Sequence, residues 1–113
     1  LRRCVRLVEM PLGLRWIVPV VSLFTLDVGS AGRVLSGDAL TDGWIESVGE
    51  REAGVASVSA PVLSADGTGA PVAAVSVSGP IERLSATPGD RFGAAVVEAA
   101  DALTELLAQP ISR

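Results

Sequence analysis

Two segments, VASVSAPVL at 55–63 and PVAAVSVSG at 71–79, alternate apolar and small polar residues with a period of two. Strand side chains alternate between faces, so the pattern specifies two strands and sorts their residues. Val58, Ala60 and Val62 point one way, and Ser57 and Ser59 the other. Val75 and Val77 share one face of the second strand; Ser76 and Ser78, with Ala74, share the opposite one. Between the strands, SADGTGA supplies Asp66-Gly67, where glycine takes positive φ without a Cβ clash. The unit reads as a hairpin with a valine face and a face of up to four hydroxyls. A fully wet face would favour threonine, lysine or glutamate. Small serines suggest a crowded surface, either a concave pocket or a close backbone approach; ordinary solvation is the competing explanation. Each serine offers one donor and two acceptors, a wall suited to the carboxylate or hydroxyl of a small ligand.

The valine face needs a cover, and SATPGDRFGAAVVEAADALTELLAQP is the strongest helix in the chain. Thr87 is placed to be its N-cap, with Pro88 in the first helical position and Asp90 completing a capping-box-like arrangement. Phe92, Val96, Ala99, Leu103 and Leu106 fall on one stripe. Arg91, Glu98, Asp101 and Glu105 take the polar side, and Pro110 ends the helix. Antiparallel strands followed by a long amphipathic helix predict an α+β fold, one sheet with helices packed on it.

Upstream, RCVRLVE (3–9), LRWIVPV and WIES suggest further strands, Pro19 making the second an edge. SAGRVLSG (30–37) suggests a short helix, capped by Asp27 or Ser30 and ended by Gly37. GEREAG (49–54) is a polar turn. In GSAGRVL, Gly29, Ala31 and Gly32 let a ligand approach the backbone, and a helix start there aims free N–H groups outward, which attracts anions. The same glycines serve equally well as a structural helix start. The G-x-x-x-x-G-K-S/T spacing of a phosphate loop is absent.

Composition excludes several chemistries. The 9 basic residues, all arginine, against 13 acidic ones give a net charge of −4, with no basic stripe for a nucleic acid. There is no histidine, which removes the usual triads, most zinc sites and any side chain that titrates near neutral pH unperturbed. An enzyme, a metal site and a cofactor are not expected. The single cysteine, Cys4, cannot pair within the chain and reads as a small buried apolar residue in a reducing cytoplasm. The longest apolar stretch, Ile17 to Leu26, is too short to span a bilayer. Arg15, Arg33 and Arg51 could hold an anion but read as solvated charges; Trp16 and Trp44 read as packing residues.

Taken together, GEREAGVASVSAPVLSADGTGAPVAAVSVSGPIERLS and the helix after it resemble the C-terminal effector-binding domain of IclR-type bacterial transcriptional regulators. GVASVSAPV is similar to that family's first hairpin strand and VAAVSVSGP to its strand ending in Gly-Pro. The Arg83 position matches, and LRWIVPV…DVGSAGRVL resembles an earlier segment ending in a small-x-Gly-basic helix start. The likeness covers nearly the whole chain and is densest from Glu50 to Leu107. It implies a GAF/PAS-like sheet between helices and, as its activity, the sensing of a small metabolite such as an organic acid. It also implies a homo-oligomer in the cytoplasm, with DNA bound only through a separate N-terminal domain, and no membrane. The implied ligand contacts are the backbone N–H groups of Ser30, Ala31 and Gly32, together with Ser57, Ser76 and Ser78. Ser47 falls near an acidic pocket residue of some members, with Glu46 adjacent, so that role is shifted in register or lost. A long helical segment usual in the family is reduced here to SGDALTDG, so one pocket wall is absent or built differently. Residues 1–113 read as one domain, incomplete at its N-terminus, since the chain opens on Leu1 and the family's opening helix and first strands would precede it. The alternative is a GAF/PAS-like protein-interaction module without a specific ligand.

Overall fold

The computed structural model describes residues 2–6, 23–24, 26, 28–50 and 52–109. The elements run β1 (Arg2–Arg3), β2 (Leu23–Phe24), α1 (Gly29–Leu35), β3 (Ile45–Val48), β4 (Val55–Leu63), β5 (Pro71–Pro80), α2 (Ile81–Leu84) and α3 (Pro88–Ala108). β3, β4 and β5 form an antiparallel three-stranded sheet with β4 in the middle. The α+β expectation holds. The expected strand at LRWIVPV, Asp27 as a cap, Arg15, Trp16, Arg51 and the stop at Pro110 lie outside the described residues.

The hairpin pairs as its alternation requires: Ser57 sits opposite Ser78, Val58 opposite Val77 and Ser59 opposite Ser76. β4 is covered on both sides, so Ala56 through Ala60 are all buried. The valine face meets α3 in a core of Val58, Ala60, Val62, Val96 and Ala100, flanked by Trp44, Val75, Val77, Phe92 and Val97. Burying a valine of this kind contributes about 1.5–3 kcal/mol. The connecting loop is built on Asp66, whose carboxylate accepts from the hydroxyl and N–H of Thr68. These bonds, the hydroxyl's first, hold the Asp66 carboxyl below its ordinary range. The strand pairing shifts at Val62/Leu63, and the Leu63 N–H freed there donates to Thr104 Oγ1 on α3 at 3.0 Å.

Several expectations are corrected. Of the strand expected at 3–9, residues 7–9 lie outside the described residues; among the described ones Arg3 is in β1, whose ladder with β2 is two residues long, and Cys4, Val5 and Arg6 are not in a strand. Cys4 is half-exposed, not buried. Ser30 lies inside α1, where Val28 is the N-cap, because its hydroxyl is used against the sheet. Thr87 and Pro88 do open α3, but Thr87 makes no side-chain cap; Glu46 Oε2 accepts from the Gly89 N–H at 2.8 Å instead, placing a carboxylate at the positive end of the helix. IERL (81–84), read only as sequence after the strand, is the short helix α2.

The buried stripe of α3 is also rotated from the one expected. It runs through Gly89, Gly93, Val96 and Ala100, while Ala99, Leu103 and Leu106 are exposed. A stripe drawn through the large apolar residues misses the reason: the Trp44 indole lies directly on Gly89 and Gly93, where any Cβ would collide with it. Glycine to alanine in a helix interior ordinarily stabilises by about 0.5–1 kcal/mol. Gly93→Ala should instead destabilise this protein by about 1–3 kcal/mol in urea unfolding. In a Trp44→Ala background the same change should stabilise or be neutral. An equal effect in both backgrounds would show that Trp44 does not decide the approach of α3.

Candidate functional site

β4 turns two hydroxyls away from α3, and α1 lies over them. A buried hydroxyl needs a hydrogen-bond partner, and the partners here are other serines. Ser30 Oγ, from the first turn of α1, stands 2.7 Å from both Ser57 Oγ and Ser59 Oγ. Ser59 Oγ meets Ser76 Oγ on β5 at 2.5 Å, and Ser57 Oγ lies 3.4 Å from Ser47 Oγ on β3. The result is a row of hydroxyls, Ser47–Ser57–Ser30–Ser59–Ser76, that crosses all three strands and takes in the helix. Five hydroxyl protons serve four links, so one donor is left over. Ser30, Ser47, Ser57 and Ser59 are buried; Ser76 is exposed. Ser78, opposite Ser57, is exposed beside it.

The structure therefore brings Ser30, Ser47, Ser57 and Ser76 into one network and puts Ser78 on the same face of the sheet. Ala31 follows on α1, half-buried. Gly32 has a different setting: a Cβ there would meet the Leu26 carbonyl oxygen at 2.8 Å and collide with the Arg2 guanidinium. Its missing side chain lets the chain's own segments pack on α1. Ser36 Oγ ties the same region together, its one proton within reach of both the Leu26 and Gly32 carbonyl oxygens at 2.9 Å each. Val28 has no side-chain acceptor to offer the first-turn N–H groups of α1.

Ser59 is the residue the sequence reading placed on this face but left out of the site. It is fully buried and links α1 to β5; its position in the alternation with Ser57 was the signal. Position 47 and its neighbour take opposite faces. Ser47 takes the serine face and Glu46 the opposite one, where it caps α3. Arg33, a candidate anion holder, is engaged by Asp38 at 3.3 Å and Glu50 at 3.0 Å. Trp44 packs on α3. Among the described residues, no cluster of side chains could hold a metal ion, and no helix is long and apolar enough to cross a membrane.

A family model described as bacterial transcriptional regulator IclR C-terminal matches residues 38–105. The match takes in Ser47, Ser57, Ser59, Ser76 and Ser78 and begins after α1. No curated protein matches the chain at a significant level. Among the solved structures that resemble it in fold are the following three. A protein assigned to the IclR family of transcriptional regulators, from Rhodococcus sp., is 19% identical with a TM-score of 0.69, over 85% of this chain and 48% of that one. A protein assigned as a transcriptional regulator from Rhodococcus sp. RHA1 is 20% identical with a TM-score of 0.74, over 89% and 55%. The C-terminal domain of a protein so assigned from Vibrio cholerae is 23% identical with a TM-score of 0.72, over 89% and 77%. The chain thus spans about half the length of the two Rhodococcus proteins.

If the hydroxyl row holds α1 to the sheet, Ser59→Ala should cost about 1–3 kcal/mol, since Ser30 and Ser76 each lose a partner. Ser78→Ala should stay within about 0.5 kcal/mol. Urea unfolding of the two variants separates them; matching small effects would mean that the row contributes nothing to stability.

Proposed function

Because the chain belongs to the bacterial transcriptional regulator IclR C-terminal family, we propose that it is the effector-sensing and oligomerisation domain of such a regulator. Its ligand is a small carboxylic acid, and Ser30, Ala31, Gly32, Ser47, Ser57, Ser76 and Ser78 form the site. The observation that carries this reading is the row of hydroxyls whose exposed end lies at Ser76, with Ser78 alongside on the same strand. A carboxylate laid against β5 there gains charge-assisted hydrogen bonds of roughly 1.5–3 kcal/mol each in gross effect. Through Ser59 that contact reaches Ser30, and so α1, in two hydroxyl links. In this reading the hydroxyls bind and orient and do no chemistry, in keeping with a family of transcriptional regulators. DNA is contacted by a separate domain of a cytoplasmic homo-oligomer, in keeping with the acidic charge of this one.

Calorimetric titration of the 113-residue chain with simple carboxylic acids tests the reading. Ser76→Val and Ser78→Val should each weaken binding about tenfold or more, the equivalent of about 1.4 kcal/mol, while the circular dichroism spectrum stays that of the parent. The alternative, an interaction module with no specific ligand, expects no saturable binding by any acid and no effect of either substitution.

A further inference from the structure

β5 lies at the edge of its sheet. Among the described residues it pairs with β4 alone, and its residues are exposed or half-buried except Gly79. The hydrogen-bond pattern decides which of its backbone groups face outward. The Ile81 N–H donates to the Gly54 carbonyl at 2.9 Å, one place beyond the Val55–Pro80 pair and in the same register. Bonded and non-bonded pairs alternate along an antiparallel ladder. Ala73, Val75, Val77 and Gly79 therefore turn their N–H and C=O groups toward β4, and Ala74, Ser76 and Ser78 turn theirs outward. The other side of β4 agrees. There the Gly49 N–H donates to the Val55 carbonyl at 2.8 Å, which gives the odd-numbered residues of β4 to β3 and the even-numbered ones to β5. Sheet edges are normally blunted by a charge, a proline or a bulge. From Ala73 to Gly79 β5 has none of these; Pro71, Pro80 and the irregularity at Val62/Leu63 all fall outside that stretch.

We propose that this edge is the seam of a homodimer, in which β5 pairs antiparallel with β5 of a second copy about a two-fold axis at Ser76. This names the interface of the oligomerisation reading above and rests on that reading. An axis perpendicular to the sheet sets Ser76 opposite its own copy and Ala74 opposite Ser78. Each outward N–H and C=O of Ala74, Ser76 and Ser78 then meets a partner, because the three positions are spaced evenly about the axis. The same axis keeps serines beside serines and valines beside valines. A second copy also matches the edge in its lack of charge. No charged residue lies in β5, so two chains of net charge −4 meet without a like-charge pair at the seam. The helices leave room for this. α1 and α3 both lie over β4, one strand in from the seam, and three strand spacings would hold the two β4 strands about 14 Å apart. A helix with its side chains is about 10–12 Å across. Ser76, the exposed end of the hydroxyl row, stands on the axis, so the acid site of one copy adjoins that of the other.

Light scattering of the 113-residue chain across micromolar concentrations should show a dimer. Ala74→Pro removes an outward N–H and no bond to β4, so it should halve the measured mass and keep the circular dichroism of the parent. Val75→Pro, at an N–H that bonds to β4, should unfold the chain. Ser76→Lys and Ser76→Asp each place like charges opposite one another on the axis and should be monomeric. An equimolar mixture of those two variants should dimerise, lysine facing aspartate. A parent chain that is monomeric overturns the seam and the oligomerisation reading together, while titration with carboxylic acids still decides the effector site. A folded Ala74→Pro chain that stays dimeric overturns the seam and leaves the oligomerisation reading standing. So does a mixture of the Ser76 variants no more associated than either alone, and that result decides the matter if Ala74→Pro fails to fold.

Discussion

A hydroxyl enclosed between a helix and a sheet has to be hydrogen-bonded, and β4 presents two of them to α1. Much of the structure answers to that requirement. Ser30 is drawn inside the helix instead of capping it, because its Oγ is the group that reaches both Ser57 and Ser59. The helix is then held at hydroxyl-to-hydroxyl range from the strand. With that spacing set, Gly32 has to be bare for Leu26 and Arg2 to pack against the other side of α1. The polar layer is narrow because serine is the smallest side chain that can make such a link.

The opposite face obeys a different rule. There the contact is hydrocarbon, and the distance of α3 from the sheet is set by how closely Trp44 can lie on Gly89 and Gly93. Two polar groups that this packing would strand are met across the interface: the Gly89 N–H by Glu46, and the Leu63 N–H by Thr104. Thr104 also donates to its own helix at the Ala100 carbonyl, so one hydroxyl serves both elements. β4 is therefore bounded on one side by hydrogen bonds between hydroxyls and on the other by valine packing.

What was legible in the sequence follows from this division. The strict period-two alternation of 55–63 and 71–79 gave both strands, their pairing and the sorting of Ser57, Ser59, Ser76 and Ser78 onto one face, because alternation is a local property of the backbone. Thr87 and Pro88 marked the start of α3 for the same local reason. The capping role of Glu46, the seat of Trp44 and the partner of Leu63 were not legible, because each joins residues more than 40 positions apart in the chain. The buried face of α3 was misread because glycine carries no hydrophobic weight, although it is where another side chain can come closest. The part of Ser59 was visible in the alternation, but its link to both α1 and β5 required the third dimension.

The Leu63–Thr104 bond bears on which strand alignment the chain can accept. Moving β4 by one residue relative to its neighbours would exchange its faces. Ser57 and Ser59 would then press into the valines of α3, and Val58 would face Ser30. Over its serine stretch β4 is built of small side chains that differ little in bulk, so shape alone discriminates weakly between the two alignments. The pairing irregularity at Val62/Leu63 exposes a single N–H, and a single helix hydroxyl stands ready to receive it. In a slipped alignment that N–H would be moved about 3.3 Å along the strand, out of reach of Thr104. One hydrogen bond at the far end of the hairpin is thus formed only in the frame in which the hydroxyls meet α1 and the valines meet α3, and it adds to the penalty that reversed faces already carry.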